Sequence, residues 1–248
     1  KASTQSWFGG NALALFAEPG RLKPFTNFPN LRGCINQLFD TSFKVMWSAS
    51  HTKQQGIKMG KLIVFMHVSL DGCVAGPNGE MDWIYTDEEL FDYGAKRIFA
   101  TDCALYGRKT YQMMEGYWPT AADQPDASKH DIEHSKWYKS AAKVVLSKTL
   151  NETDLTNTKV ISKNLGDEIA KVKKSTNKEI LVFGSPTASH ALMSIGAVDG
   201  YWLFVNPVLL GEGIPLFKNI QHKTALMLTD SHVFPSGVVC LHYNQKTH

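Results

Sequence analysis

In the stretch Ile180-Leu-Val-Phe-Gly-Ser-Pro-Thr-Ala-Ser-His190, four apolar residues run into Gly184. Ser185 then suits a helix N-cap, and Pro186 suits the first helical position, where a missing N–H costs nothing. A buried strand that turns through glycine straight into a helix is the repeating unit of a parallel α/β sheet. The same succession extends to both sides. Strands are expected near 61–68, 103–106, 143–147, 158–162, 179–184, 201–206, 225–233 and 237–243, with helices near 87–100, 109–115, 130–140, 164–174 and 187–195. Pro235-Ser236-Gly237 breaks the alternation with a turn between two extended runs, so the chain should finish as an antiparallel hairpin. The expected fold is α/β, a mixed and mostly parallel eight-stranded sheet with helices on both faces.

Composition narrows the class. The 248 residues are 43% hydrophobic and 20% charged, enough to bury a core without disulfides or metals and unlike a disordered or coiled-coil chain. Leu62–Met66, the clean apolar run that opens the first strand, falls far short of the ~18 residues of a membrane span, so no membrane partner is expected. Cys34, Cys73, Cys103 and Cys240 lack CxxC spacing, and three of them sit among apolar residues as buried thiols do. That pattern points to a reducing, cytoplasmic compartment.

The net charge of +3 is unevenly spread. Residues 1–58 hold seven basic and two acidic residues, whereas the rest hold 19 basic and 21 acidic ones. A nucleic-acid partner is therefore not expected for 59–248. Residues 1–58 lack sustained periodicity and are punctuated by Gly9-Gly10, Pro19-Gly20, Pro24, Pro29 and Gly33. They read as a poorly structured extension. A targeting segment, an extension translated upstream of Met59, and a docking arm built on Trp7, Phe8, Phe16, Phe25 and Phe28 all fit.

Four loops gather Gly, Pro, Ser and basic residues at strand ends, where open α/β sheets bind ligands. Ser69-Leu-Asp-Gly72 opens a long loop through Pro77-Asn78-Gly79 to Trp83, which is either a cover for a substrate or a plain surface connection. Leu105-Tyr-Gly-Arg-Lys-Thr-Tyr111 places Gly107, Arg108, Lys109 and Thr110 at a helix start, either a phosphate site or a solvated basic turn. Leu146, Ser147 and Lys148 end a further strand and matter only if they face the same ligand. Gly184, Ser185 and Thr187 form the fourth turn, able to accept a pyrophosphate. Gly211-Glu-Gly213 is not a Rossmann fingerprint, because Pro215 follows and no helix opens there. His130 and His134 lack a third ligand, so no metal is expected.

In order, Ser69-Leu-Asp-Gly72, Gly107-Arg-Lys-Thr110, Val145-Leu-Ser-Lys148, Val182-Phe-Gly-Ser185 and Pro207-Val-Leu-Leu-Gly-Glu-Gly-Ile-Pro-Leu-Phe217 resemble the dihydrofolate reductase superfamily. The resemblance is closest to the reductase domain of the bifunctional riboflavin-biosynthesis deaminase-reductase and its stand-alone relatives, and it runs from about Gly60 to Tyr243. It implies a three-layer α/β/α reductase domain over 59–248, NADPH as hydride donor, a small heterocyclic or carbonyl substrate, and a homodimer. By the same resemblance Arg108, Lys109 and Thr110, opened by Gly107, meet the 2′-phosphate and pyrophosphate. Leu146, Ser147 and Lys148 lie on the adenosine side, with Gly184, Ser185 and Thr187 on the pyrophosphate and nicotinamide side. The family often has two glycines where this chain has Gly184-Ser185.

The loop from Asp71 to Trp83 resembles the one that covers nicotinamide and substrate, and an early helical carboxylate, Asp87 or Glu88, corresponds to the group that helps protonate the pterin. Asp71, Trp83 and Glu88 are thus the implied catalytic residues, although acids in a first helical turn also simply answer the helix dipole. No second basic cluster for a phosphorylated substrate is evident. A nucleotide-binding module without turnover is the alternative in another class.

Overall fold

The computed structural model describes residues 59–150 and 155–246. The readings made for residues 1–58, including Cys34, lie outside the described residues. All eight expected strands and five expected helices are present. They are β1 (Lys61–Ser69), α1 (Glu88–Ile98), β3 (Cys103–Gly107), α2 (Arg108–Ala121), α3 (Lys129–Ser140), β4 (Ala142–Leu146), β5 (Thr158–Ile161), α4 (Leu165–Lys174), β6 (Glu179–Phe183), α5 (Pro186–Ser194), β7 (Gly200–Asn206), β9 (Leu226–Val233) and β10 (Val239–Gln245). Two short strands were not foreseen, β2 (Cys73–Ala75) and β8 (Ile214–Pro215).

The alternation in β1 sets the layers. Leu62, Val64, Met66 and Val68 join an aliphatic core with Ile169 and Val172 of α4 and Ala188 and Leu192 of α5. Ile63 and Phe65 point the other way, into an aromatic core with Tyr111 of α2, Trp137 and Tyr138 of α3, and Trp202 and Phe204 of β7. Side chains of neighbouring strand residues face opposite sides of a sheet. Two such cores on one sheet make three layers.

The large sheet runs in the order β5-β4-β3-β6-β1-β7-β10-β9. The strands from β5 to β7 are mutually parallel, while β10 pairs antiparallel with both β7 and β9. The hairpin turns at Pro235-Ser236-Gly237 as expected, closed by Gly237 N–H donating to the Phe234 carbonyl at 2.9 Å. Neighbouring strands β3 and β6 send their helices to opposite faces, α2 to the aromatic core and α5 to the aliphatic one. That divergence is a topological switch point, and it opens a crevice at the carboxyl ends of the strands.

β2 and β8 pair antiparallel, Cys73 opposite Pro215 and Ala75 opposite Ile214. They pin the loop for which the sequence left open a substrate cover or a plain surface connection. Gly213 permits the approach, since a Cβ there would lie 2.6 Å from the Ala75 carbonyl oxygen. Helix α2 also runs six residues past the expected end at 115, and Pro119 falls in its last turns.

Candidate active site

The crevice is a cleft of about 1610 Å³. It brings together Gly107, Arg108, Lys109, Thr110, Leu146, Ser147, Lys148, Gly184, Ser185 and Thr187, the ten residues expected around a cofactor. The parallel register explains the convergence: Gly107 ends β3 directly opposite Leu146 at the end of β4. The next strand, β5, adds Ser162, Lys163 and Asn164, so four exposed cations (Arg108, Lys109, Lys148 and Lys163) gather at the β3-β4-β5 end. Lys163 and Asn164 were missed in the sequence reading. Their signal was the same strand-end pattern that marked Ser147-Lys148.

Three helices begin at this cleft, and none has a side-chain cap. Helix α2 starts at Gly107, α4 at Asn164 and α5 at Ser185, each without a cap hydrogen bond. Helices whose starts do not line the cleft are capped: Asp87 accepts from Leu90 N–H in α1, and Ser128 forms a capping box with Asp131 in α3. The uncapped starts leave backbone N–H groups and the positive ends of three helix dipoles toward the cleft.

Ser185 stands at the N-cap position as expected but does not cap. Its backbone is left-handed, with φ 62°, following Gly184 at φ 52°. A serine seldom adopts that conformation, which glycine takes without cost. The hydroxyl is used instead to join two strand ends: Gly107 N–H donates to Ser185 Oγ at 2.8 Å, and Thr110 Oγ1 hydrogen-bonds it at 2.9 Å. Ser147 Oγ plays a similar local role, accepting from Thr149 and Leu150 N–H.

The other end of the cleft, beside β1, is apolar. Val74, Met81, Ile84, Met113, Met114 and Ile214 line it together with His67. His67 carries the same strand direction as Phe65, stacks on Phe204 at 4.9 Å, and is pushed by burial down to a pKa of about 4. Nothing in the sequence separated this histidine from the apolar strand around it.

Asp71, Trp83 and Glu88 do not line the cleft. Asp71 is exposed and fastens a neighbouring loop, accepting from Ser69 Oγ at 2.5 Å, Gly211 N–H at 2.8 Å and Leu210 N–H at 3.3 Å. Those bonds, the Ser69 hydroxyl foremost, lower its pKa. Trp83 Nε1 donates to the Glu80 carbonyl at 3.1 Å, closing a turn. Glu88 is exposed in the first turn of α1, next to the capping Asp87. His134 is buried, stacked on Trp118 at 3.8 Å. Among the described residues no group of three or more His, Cys, Asp or Glu is placed to hold a metal. Cys73, Cys103 and Cys240 are buried free thiols. No described helix is long and apolar enough to cross a membrane.

A mixed sheet with an antiparallel end hairpin and a cleft at its switch point defines a protein of the dihydrofolate reductase-like class. Within that class the chain belongs to the RibD C-terminal domain family, which it matches over residues 60–240. It is 35% identical over 191 residues to the uncharacterized protein YyaP of Bacillus subtilis strain 168, covering 76% of this chain and 96% of that one. The crystal structure of a Shewanella sp. PV-4 protein described as a "Putative riboflavin biosynthesis protein" is 23% identical, with a TM-score of 0.59 over 75% of this chain and 99% of that one. The Thermotoga maritima diaminohydroxyphosphoribosylaminopyrimidine deaminase/5-amino-6-(5-phosphoribosylamino)uracil reductase is 14% identical, with a TM-score of 0.53 over 76% of this chain and 57% of that one. These two share the fold.

Proposed function

We propose that the protein is an NADPH-dependent reductase that transfers a hydride to a small heterocyclic or carbonyl compound. The observation that carries this reading is the convergence of three uncapped helix starts with Arg108, Lys109, Lys148 and Lys163 on one cleft. Several N–H donors and four cations suit a ligand with several phosphates. The residues also fit it sterically. Gly184 sits at φ 52°, and a Cβ there would approach the Thr110 methyl at 3.4 Å, filling the backbone surface on which a pyrophosphate would rest.

Arg108, Lys109, Lys148 and Lys163 would hold the 2′-phosphate end, and Gly184, Ser185 and Thr187 the pyrophosphate toward the apolar end. When bound, NADPH supplies the hydride. The chain's own contribution is to fix the two reactants against one another and keep water out. From the riboflavin-biosynthesis resemblance we take the reductase chemistry and a homodimer, but not the phosphorylated substrate of that pathway, and the buried thiols fit a cytoplasmic compartment.

Fluorescence titration tests the reading. NADPH should bind at least tenfold more tightly than NADH, and Arg108→Ala should remove most of the difference, since a charge-assisted hydrogen bond contributes about 1.5–3 kcal/mol. Equal affinities in the wild type would refute it. NADPH oxidation over a panel of pterins, quinones and aminopyrimidine ribosides separates an enzyme from an inert nucleotide-binding module: turnover with any of them excludes the module.

A further inference from the structure

His67 is the one titratable side chain at the apolar end of the cleft among the described residues. Strand β1 carries it two residues beyond Phe65, which pairs with Phe183, the residue before the Gly184-Ser185 turn. It therefore reaches the carboxyl end of the sheet beside the proposed pyrophosphate site.

The ring is held on a face and on an edge. One face stacks on Phe204, with the planes 17° apart. On the edge, Asn206 is fixed by three backbone groups: its Oδ1 accepts from Tyr85 N–H at 3.0 Å, and its Nδ2 donates one hydrogen to the Phe204 carbonyl at 2.9 Å and shares the other between the Val68 carbonyl at 3.4 Å and the His67 ring. Those partners leave no choice of amide orientation. Asn206 Nδ2 then meets His67 Nδ1 at 3.3 Å. An amide nitrogen only donates, so Nδ1 is the acceptor and the ring proton resides on Nε2. No group among the described residues hydrogen-bonds Nε2. Burial keeps the ring uncharged at neutral pH, holding its pKa near 4.

We infer that His67 is a substrate-contacting residue whose Nε2–H donates to the carbonyl oxygen or ring nitrogen beside the carbon to be reduced, in an uncharged, unphosphorylated planar substrate. This rests on the reductase reading. The walls around it decide the charge. Val74, Met81, Ile84 and Ile214 offer no cation, and a phosphate set among them would lack a charged partner, at a large desolvation cost. Methionine walls adapt to flat rings of varied outline. As negative charge gathers on the substrate heteroatom, a fixed neutral N–H strengthens its bond without any rearrangement of the site. The cations lie at the opposite end, where the cofactor phosphates account for them.

Two measurements test this. Long-range ¹H–¹⁵N NMR of the full chain with NADPH, the ring assigned by its loss in His67→Gln, should show a neutral Nε2–H tautomer that does not titrate between pH 5.5 and 8. An Nδ1–H tautomer, or a ring titrating near 6.5, overturns the proposal. In the second, menadione, riboflavin and FMN are titrated into protein loaded with NADP⁺. At least one uncharged probe should bind, riboflavin at least tenfold more tightly than FMN if it is among them, with affinity for the bound probe reduced about tenfold in His67→Ala and recovered in part by His67→Gln, which keeps a donor. Binding of FMN as tight as riboflavin, binding of neither uncharged probe, or unchanged affinity in His67→Ala overturns it. NADPH affinity is measured alongside in each variant. Loss of NADPH binding by the wild type would sink the reductase reading itself, whereas intact NADPH binding with insensitive probes sinks only the role of His67.

Discussion

Replacing Ser185 measures the balance struck at the turn that joins β3 to β6. Serine at φ 62°, ψ 70° carries about 1 kcal/mol of left-handed backbone cost that glycine does not. Against this stand the two hydrogen bonds of its hydroxyl, to Gly107 N–H at 2.8 Å and Thr110 Oγ1 at 2.9 Å, each contributing about 1 kcal/mol net. Ser185→Gly relieves the first, loses both of the second and, like any variant without the hydroxyl, leaves the buried Gly107 N–H unpaired, so it should be less stable by about 1–2 kcal/mol. Ser185→Ala keeps the backbone cost, loses both bonds and leaves the buried Gly107 N–H without its partner, and should be less stable by about 2–3 kcal/mol. Urea unfolding of the cofactor-free chain reads the order directly: wild type, then Gly, then Ala. In thermal melts each kcal/mol corresponds to about 2–4 °C for a domain of this size. A Gly variant more stable than the wild type would mean that backbone strain outweighs the hydroxyl's bonds. An Ala variant equal to the wild type would mean that the bonds contribute nothing.

Stability should fall on mild acidification, before the carboxylates titrate. Burial lowers His67 to about 4 and His134 to about 3. Both rings stay neutral in the folded state while the unfolded chain binds protons below about 6.5, so their stabilisation is complete above that pH and is lost as pH falls toward the folded values. By pH 5 each ring should cost about 2 kcal/mol; His134→Phe should flatten the dependence, and urea midpoints equal at pH 7 and pH 5 would refute the assignment. Asp71→Ala should release Leu210 and Gly211 from the carboxylate, so that limited proteolysis cuts faster within 209–213 while NADPH affinity is unchanged. A fall in NADPH affinity would instead connect Asp71 to the cofactor.

What the sequence made legible follows the length scale of its signals. Runs of three or four apolar residues ending at Gly107, Leu146 and Gly184 declared strands and strand ends, and because parallel strands align their ends, the cofactor residues named from separate loops fell into one cleft. β2 and β8, three and two residues long, are too short to show alternation. Their pairing depends on Gly213 meeting Ala75, a contact 138 residues apart in the chain. His67 was hidden for a different reason. Its neighbours Met66 and Val68 belong to the opposite, aliphatic face, and only the tertiary positions of Phe204 and Asn206 make it a fixed donor. Asp71 lies outside the cleft lining, and the backbone N–H groups it holds come from a segment far along the chain, a contact that no local pattern announces.

The helix starts show where local composition and function part. Asn164 and Ser185 are both good capping residue types at N-cap positions, yet both are left-handed and neither side chain caps. An ordinary cap needs an extended backbone at that residue, as at Asp87 (φ −138°) and Ser128 (φ −70°, ψ 165°). Backbone conformation rather than residue type therefore opens these two starts, and Gly107 opens the third by having no side chain. The starts at Asn164 and Ser185 each forgo about 1 kcal/mol of helix stability, and the glycine start a few tenths. These losses all face one cleft beside four cations, where a bound anion would offset them. The same geometry that makes the free protein less stable thus makes it receptive, and added NADPH should raise its unfolding midpoint in proportion to the logarithm of ligand concentration.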